Sequence, residues 1–352
     1  MLCQWLLSVL LNTAMVGSDP PDRFIVFSEF QVWADAASPQ VFKELNKLYL
    51  EKGRSHVFNL YPHYEYFVWR FPRMKEWVDE AAALKAFNVF CLGDDTRTAE
   101  GRLFDGEGVN PRLKDFLFRT VSYAHERGLM VAVEPTGLPA VKDKEHLVPW
   151  LRSWLGPEVP RAARADVVKL SIEWFGAYRN NPQIAEEVEA FFDSCRQVNP
   201  DVMIYLDSIG GIWRKPQPFH CWFLRRFPGT IISHYLNTDQ LDAFRAAGAR
   251  NMMVQINPSE MEKPAGQFFI YHDKTVAFLQ DVVRKRVRYV SLAGVNFGYS
   301  RYNYDLFLEV IRPHLALAPD VETLRRTLQP DQVAEPATKD DVRKWLIEQA
   351  KK

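Results

Sequence analysis

Surplus charge of either sign is missing: 44 Lys and Arg balance 44 Asp and Glu over 352 residues. Nucleic acid and anionic membranes recruit proteins through a basic excess, so neither is expected as a partner. Cysteine is scarce. The four, Cys3, Cys91, Cys195 and Cys221, are too widely spaced for a zinc motif and too few for a disulfide framework. No apolar run is long enough to span a bilayer. Repeats and low-complexity tracts are absent, and no glycine-rich phosphate turn follows the first apolar run, which continues Phe27-Ser28-Glu29-Phe30-Gln31 and not GxGxxG.

What the chain does have is aromatic side chains, with 10 Trp, 13 Tyr and 24 Phe, and a steady alternation of short apolar runs with amphipathic segments. The rings suit a large core, and those near polar loops suit stacking on flat or ring-shaped ligands. Eight runs read as strands: Phe24–Ser28, Val89–Leu92, Leu129–Val133, Val167–Ile172, Val202–Leu206, Thr230–Ser233, Met252–Ile256 and Tyr289–Leu292. Between them Asn110-Pro111 opens a helix running to Gly128, Asn181-Pro182 opens another, and Thr238 caps a third that ends at Gly248. In the second of these Ile184, Val188, Phe191, Phe192 and Cys195 share one face, with Glu186, Glu187 and Glu189 largely away from it. Eight strand–helix units imply an α/β fold, a closed (β/α)₈ barrel of the TIM type. An open doubly wound sheet is the runner-up, without its phosphate turn.

The expected organisation is a barrel over residues 19–317 with a long insertion after the first strand, and a C-terminal helical appendage over 318–352. Within the insertion Val57–Leu60 is a further strand candidate for the barrel, and Tyr61-Pro62-His63-Tyr64 reads as packed rings or as a loop over the mouth. Residues 1–18 hold an apolar stretch, Leu2 to Leu11, followed by Val16-Gly17-Ser18. As a signal peptide it would send the protein outside or to the periplasm, although no Lys or Arg precedes the apolar core. As a helix under the barrel it would leave the protein cytoplasmic.

The ends of the strands carry the chemistry. In a barrel of this kind the reacting groups sit on the C-terminal ends of the strands and the loops beyond. Those positions hold Glu29, Asp94 and Asp95, Glu134, Glu173, Asp207 and His234 on strands one to six. So many acids on one rim repel one another unless they share protons, bind a cation or face a polar ligand. Two chemistries use such a set. Glycoside hydrolysis needs one carboxyl protonated and another ionised, with aromatic and polar groups to grip the sugar. Trp174, Tyr178, Trp213, Tyr235 and Asn296 supply these. Metal-assisted chemistry would instead use the acids as oxygen ligands for a hard cation.

In this respect the chain resembles the (β/α)₈ glycoside hydrolases of the large retaining clan, whose acid/base glutamate follows the fourth strand. Glu173, in Ser171-Ile172-Glu173-Trp174, occupies that place. The resemblance implies a glycosidase with a carbohydrate substrate and no metal or cofactor, Glu173 being the general acid. It spans Arg23 to about Leu317. Two positions depart from the clan: Ile172 stands where an Asn precedes the acid, and Gln255 and Asn257 stand where strand seven carries a nucleophilic Glu. The second carboxylate is then Asp207, Glu134 or Glu29. Glu134, Glu173 and Asp207 on consecutive strands also resemble the Mg²⁺ ligands of enolase-type barrels, and His234 beside them resembles the mixed sites of xylose-isomerase-like barrels. That resemblance implies a divalent-metal-dependent sugar isomerase, lyase or hydrolase. A third reading is a non-catalytic carbohydrate-binding barrel.

Overall fold

The computed structural model describes residues 25–30, 57–58, 75, 78–79, 82–83, 88–92, 97–98, 101–102, 104–105, 108–111, 113–135, 144–172, 181–207, 215–234, 238–256, 268–269, 272–293, 310, 314, 320–334 and 336–351. For residues 25–30, His234, Gln255, Ile256 and 291–293, among others, this covers the backbone alone.

Eight parallel strands close into a barrel: β1 (Ile25–Phe30), β2 (Val89–Leu92), β3 (Met130–Val133), β4 (Val167–Ser171), β5 (Met203–Asp207), β6 (Ile232–His234), β7 (Met252–Ile256) and β8 (Tyr289–Ala293). Each pairs with its neighbours in sequence, and β8 pairs with β1 to close the ring. The strands lie within two residues of the bounds expected from the alternation. Val57–Phe58 is not a ninth barrel candidate. It pairs antiparallel with Phe268–Phe269 outside the ring, because a short half-buried run has the same local pattern whichever partner it finds. Most of the expected insertion, and residues 1–24, fall outside the described residues.

Strand side chains alternate between two layers. Phe90, Leu92, Val131, Val133, Val168, Leu170, Ile172, Ile204, Leu206, Ile232, Val254 and Val290 point outward into the layer shared with the helices. Val89, Cys91, Met130, Ala132, Val167, Met203, Tyr205, Ile231, Met253 and Tyr289 fill the lumen. Around the barrel run α1 (Lys114–Glu126), α2 (Lys144–Leu155), α3 (Ile184–Val198), α4 (Pro218–Arg226), α5 (Thr238–Ala246) and α6 (His272–Arg284). The buried face of α3 is Ile184, Ala185, Val188, Phe191, Phe192, Cys195 and Val198, the helical spacing legible in the sequence. The α1 turn ends at Gly128 with φ +76°, where a side chain would be strained, and Gly128 N–H donates to His125 O (2.9 Å).

Much of the aromatic excess is core. Phe104, Trp150 and Trp154 meet edge-on or tilted at centroid separations of 5.3–5.8 Å, and Phe192, Phe219, Phe223 and Phe227 form a second nest between α3 and α4. His220, read in the sequence as a packing residue, is fully buried, with Nδ1 accepting from Gln217 N–H (3.2 Å) and its ring edge-on to Phe244.

The C-terminal segment closes the opposite end of the barrel from the acids. Helix α7 (Val321–Arg326) places Leu324, fully buried, among the lumen side chains, with Val321 and Leu328 beside it. The chain then runs under the strand starts: Thr327 Oγ1 meets Tyr289 OH (2.8 Å), Asn251 exchanges hydrogen bonds with the Gln329 backbone (2.6 and 2.9 Å), and Asp331 accepts from Gly229 N–H (3.0 Å) and Arg250 N–H (2.7 Å). Helix α8 (Lys339–Gln349) packs on α3 and α4. Among the described residues no helix is long and apolar enough to cross a membrane.

Candidate active site

Along the lumen face the strands change character from bottom to top. On β3 the inward residues run Met130, Ala132, then Glu134 just past its end; on β4 Val167, Lys169, Ser171; on β5 Met203, Tyr205, Asp207. Apolar side chains fill the end plugged by α7, and ionisable and hydroxyl groups follow at the C-terminal end. Glu134 stays in the ladder, its N–H donating to Leu92 O (3.0 Å).

At the top of the lumen Lys169 Nζ lies 3.1 Å from Glu134 Oε2 and 2.9 Å from Asp207 Oδ2. The three side chains are only 3%, 7% and 2% exposed. Burial strips water from all three charges, which is tolerated only when they are paired at close range. The register explains the meeting. Ala132 pairs with Val167 and Tyr205 with Lys169, so Glu134 falls level with Lys169 on one side, while Asp207 stands one pleat higher on the other. The flexible four-carbon stem of lysine lets one ammonium reach both. Ser171 and Ser233, both buried, flank Asp207 in register on β4 and β6.

Of the expected site residues, Glu134 and Asp207 are thus brought together. Glu29 is placed by its backbone in register with Ala293 and Cys91. His234 pairs in register with Val254, whose side chain belongs to the outer layer, while its neighbour Ser233 shares the row of Met253 in the lumen. Glu173, Asp94, Asp95, Trp174, Tyr178, Trp213, Tyr235 and Asn296 lie outside the described residues.

Lys169 is the residue that the rim-based reading passed over. Its signal is present in the sequence: in Val167-Val168-Lys169-Leu170-Ser171 the odd positions turn polar while the even ones stay apolar, which puts the cation on the lumen face. Its position bears on the metal reading. A hard cation bridging Glu134 and Asp207 would need the space and the charge role that the ammonium fills. Among the described residues no three His, Cys, Asp or Glu side chains cluster as a metal site.

No family model and no curated protein matches the chain. Solved structures with a similar trace include endoglucanase Cel5A from Thermotoga maritima (11% identity, 69% of this chain and 89% of that one, TM-score 0.41) and the catalytic domain of a mannanase from Streptomyces sp. SirexAA-E (13% identity, 63% and 71%, TM-score 0.41). SacUVDE is similar to the same degree (12% identity, 70% and 87%, TM-score 0.42). Likeness this distant carries no argument about chemistry. The class of protein rests on the closed strand order alone: a (β/α)₈ barrel with a charged cluster inside its C-terminal mouth.

Proposed function

We propose that the chain is a glycoside hydrolase in which Glu173 protonates the leaving-group oxygen and the Glu134–Asp207 pair supplies the ionised carboxylate. The observation that supports it is the single ammonium shared by those two acids. Glycosidic cleavage requires two carboxyl groups in different protonation states. An ammonium at hydrogen-bond distance favours the charged form of both partners, so neither is suited to be the acid. Their bonded oxygens are also no more than about 6 Å apart, short of the roughly 6.5–9.5 Å that an inverting pair needs to admit a water. The proton donor must then come from elsewhere on the rim. Glu173 continues the inward spacing of Val167, Lys169 and Ser171 in the sequence.

Carbohydrate is the partner this reading implies, gripped by Trp174, Tyr178, Trp213 and Tyr235, with Asn296, Glu29, Asp94, Asp95 and His234 for its hydroxyls. The insertion after β1 and the segment 318–352 would then serve the mouth and the floor of the same barrel.

Glu173→Gln tests the assignment. Release of reducing ends from a panel of soluble polysaccharides is expected to fall by roughly 10² to 10⁴, while aryl glycosides whose leaving group departs unprotonated lose much less in the bond-breaking step. Binding of the glycan survives. A rate within a few-fold of wild type for Glu173→Gln, with Glu134→Gln or Asp207→Asn inactive, moves the acid off Glu173. Absence of turnover on every glycan and aryl glycoside by the unaltered protein removes the reading.

A further inference from the structure

We infer that Lys169 is the positioning residue of this site: by binding Glu134 and Asp207 at once, it holds two adjacent carboxylates ionised and fixed in orientation at the mouth of the lumen. The kinetic part of this inference rests on the glycosidase reading; the electrostatic part does not.

Three observations converge on it. Lys169 is the one buried Lys or Arg among the described residues, and it lies at the point where two buried acids meet. It joins three neighbouring strands, β3, β4 and β5, at the end where the fold places reacting groups. It is also surrounded by few other ionisable groups. From β5 the lumen presents Tyr205 beside Asp207, from β2 Cys91, whose Sγ lies 3.9 Å from Tyr205 OH, and from β3 Glu134; β4 itself adds Ser171 and β6 adds Ser233. Below them the lumen is apolar. No second described cation is placed to take over the role.

The consequence follows from Coulomb's law in a site with little water. Two carboxylates whose facing oxygens are no more than about 6 Å apart repel each other strongly without a cation between them, and one answers by taking a proton. A site that has lost its ammonium therefore loses an ionised carboxylate near neutral pH. The side chains also lose the common anchor that fixes their directions, and displacement of a reacting group by about 1 Å costs on the order of 10²-fold in rate.

The test compares the full chain with Lys169→Met, Lys169→Arg and the triple variant Lys169→Met, Glu134→Gln, Asp207→Asn. Melting temperature is followed from about pH 5 to pH 8, a range that begins just above where ordinary carboxylates titrate. In Lys169→Met the protonated carboxyl is the form that the folded chain favours. Stability is therefore retained at low pH and lost as pH rises, so the deficit against wild type is largest at neutral pH and shrinks toward pH 5. Lys169→Arg restores part of it, and the triple variant shows a small deficit that does not vary with pH. Lys169→Met failing to fold while the triple variant folds is the same result in stronger form. A deficit independent of pH, or a triple variant as damaged as the single one, overturns the inference. For hydrolysis, Lys169→Met is expected to lose about 10²-fold in kcat with little change in KM, and Lys169→Arg to regain part of it. An unaltered protein without glycosidase activity would sink the functional reading while the pH-dependent deficit still stood, so the two failures are distinguishable.

Discussion

At the scale of single residues the fold uses buried ion pairs at two levels, and they respond to pH in opposite senses. Under the C-terminal mouth the Lys169 cluster depends on ionised acids. At the other end, next to the start of β4, His125 Nε2 lies 2.7 Å from Asp166 Oδ2 and Nδ1 lies 2.8 Å from Ala162 O, while Asp166 also accepts from Val131 N–H (2.8 Å). Burial works against a charged His125, but the hydrogen bond and charge of Asp166 outweigh it and raise the imidazole above its ordinary 6.5. A group whose affinity for its proton rises on folding stabilises the fold fully below its unfolded value and loses that contribution as pH climbs through the folded one. His125→Gln should therefore cost melting temperature at pH 5.5 and less at pH 8.5. A difference that is flat across this range would show that His125 contributes only its ring packing and hydrogen bonds. Cys195 marks the contrasting case. Its thiol is wholly buried on α3 and burial pushes it well above the usual range, so alkylating reagents are expected to spare it in the folded chain and modify it after urea.

At the scale of elements, α7 is short and its sequence, Val-Glu-Thr-Leu-Arg-Arg, is polar, yet it does what a much larger element might be expected to do. Its one deeply buried side chain, Leu324, ends the lumen column above which Lys169, Glu134 and Asp207 sit. Asp320 caps it by accepting from Thr323 N–H (2.7 Å). Leu324→Ala opens a cavity at the floor and is expected to cost about 2–5 kcal/mol, read as a fall in the urea midpoint. Gly248 makes a second point of contact. Its φ of +101° disfavours any side chain, and a Cβ there would collide with the Gln332 carbonyl where Gln332 N–H donates to Gly248 O (2.8 Å). Gly248→Ala should therefore destabilise by more than about 1 kcal/mol, combining backbone strain with loss of that contact. A midpoint unchanged by either substitution would mean that the segment merely lies against the barrel.

At the scale of the whole molecule, the strands were legible because burial on two faces writes itself as apolar alternation, and Val167–Ser171 shows the lumen turning polar within a single strand. Lys169 was harder to read, since a lone lysine in a strand ordinarily takes its charge to water and only the meeting of three strands keeps it inside. The pairing of Val57–Phe58 with Phe268–Phe269 joins segments about 200 residues apart and leaves no local trace. Leu324 was invisible for a related reason: nothing in a polar tail distinguishes a plug from a surface helix until the floor of the barrel is there to receive it. This floor also decides how the chain should unfold. The tail touches the starts of β5 to β8 through Arg325 to Asp201 O, Asp331, Asn251 and Thr327, and α8 adds Val342 and Leu346 to the outer core with ion pairs from Lys339 to Glu189 and from Arg343 to Glu186. Half-exposed ion pairs of this kind contribute little and weaken in salt, so the apolar contacts at Leu324, Val342 and Leu346 carry the attachment. Barrel and tail are therefore expected to unfold in urea as one transition, with far-UV circular dichroism and tryptophan fluorescence coincident. A chain ending at residue 317 should have a clearly lower midpoint, because the lumen column is left open at its base. Adding residues 318–352 as a separate peptide should raise that midpoint with concentration, as a ligand of the folded state does. If the shortened chain instead unfolds at the full-length midpoint and ignores the peptide, the C-terminal segment is an appendage and the floor of the barrel is closed by other means.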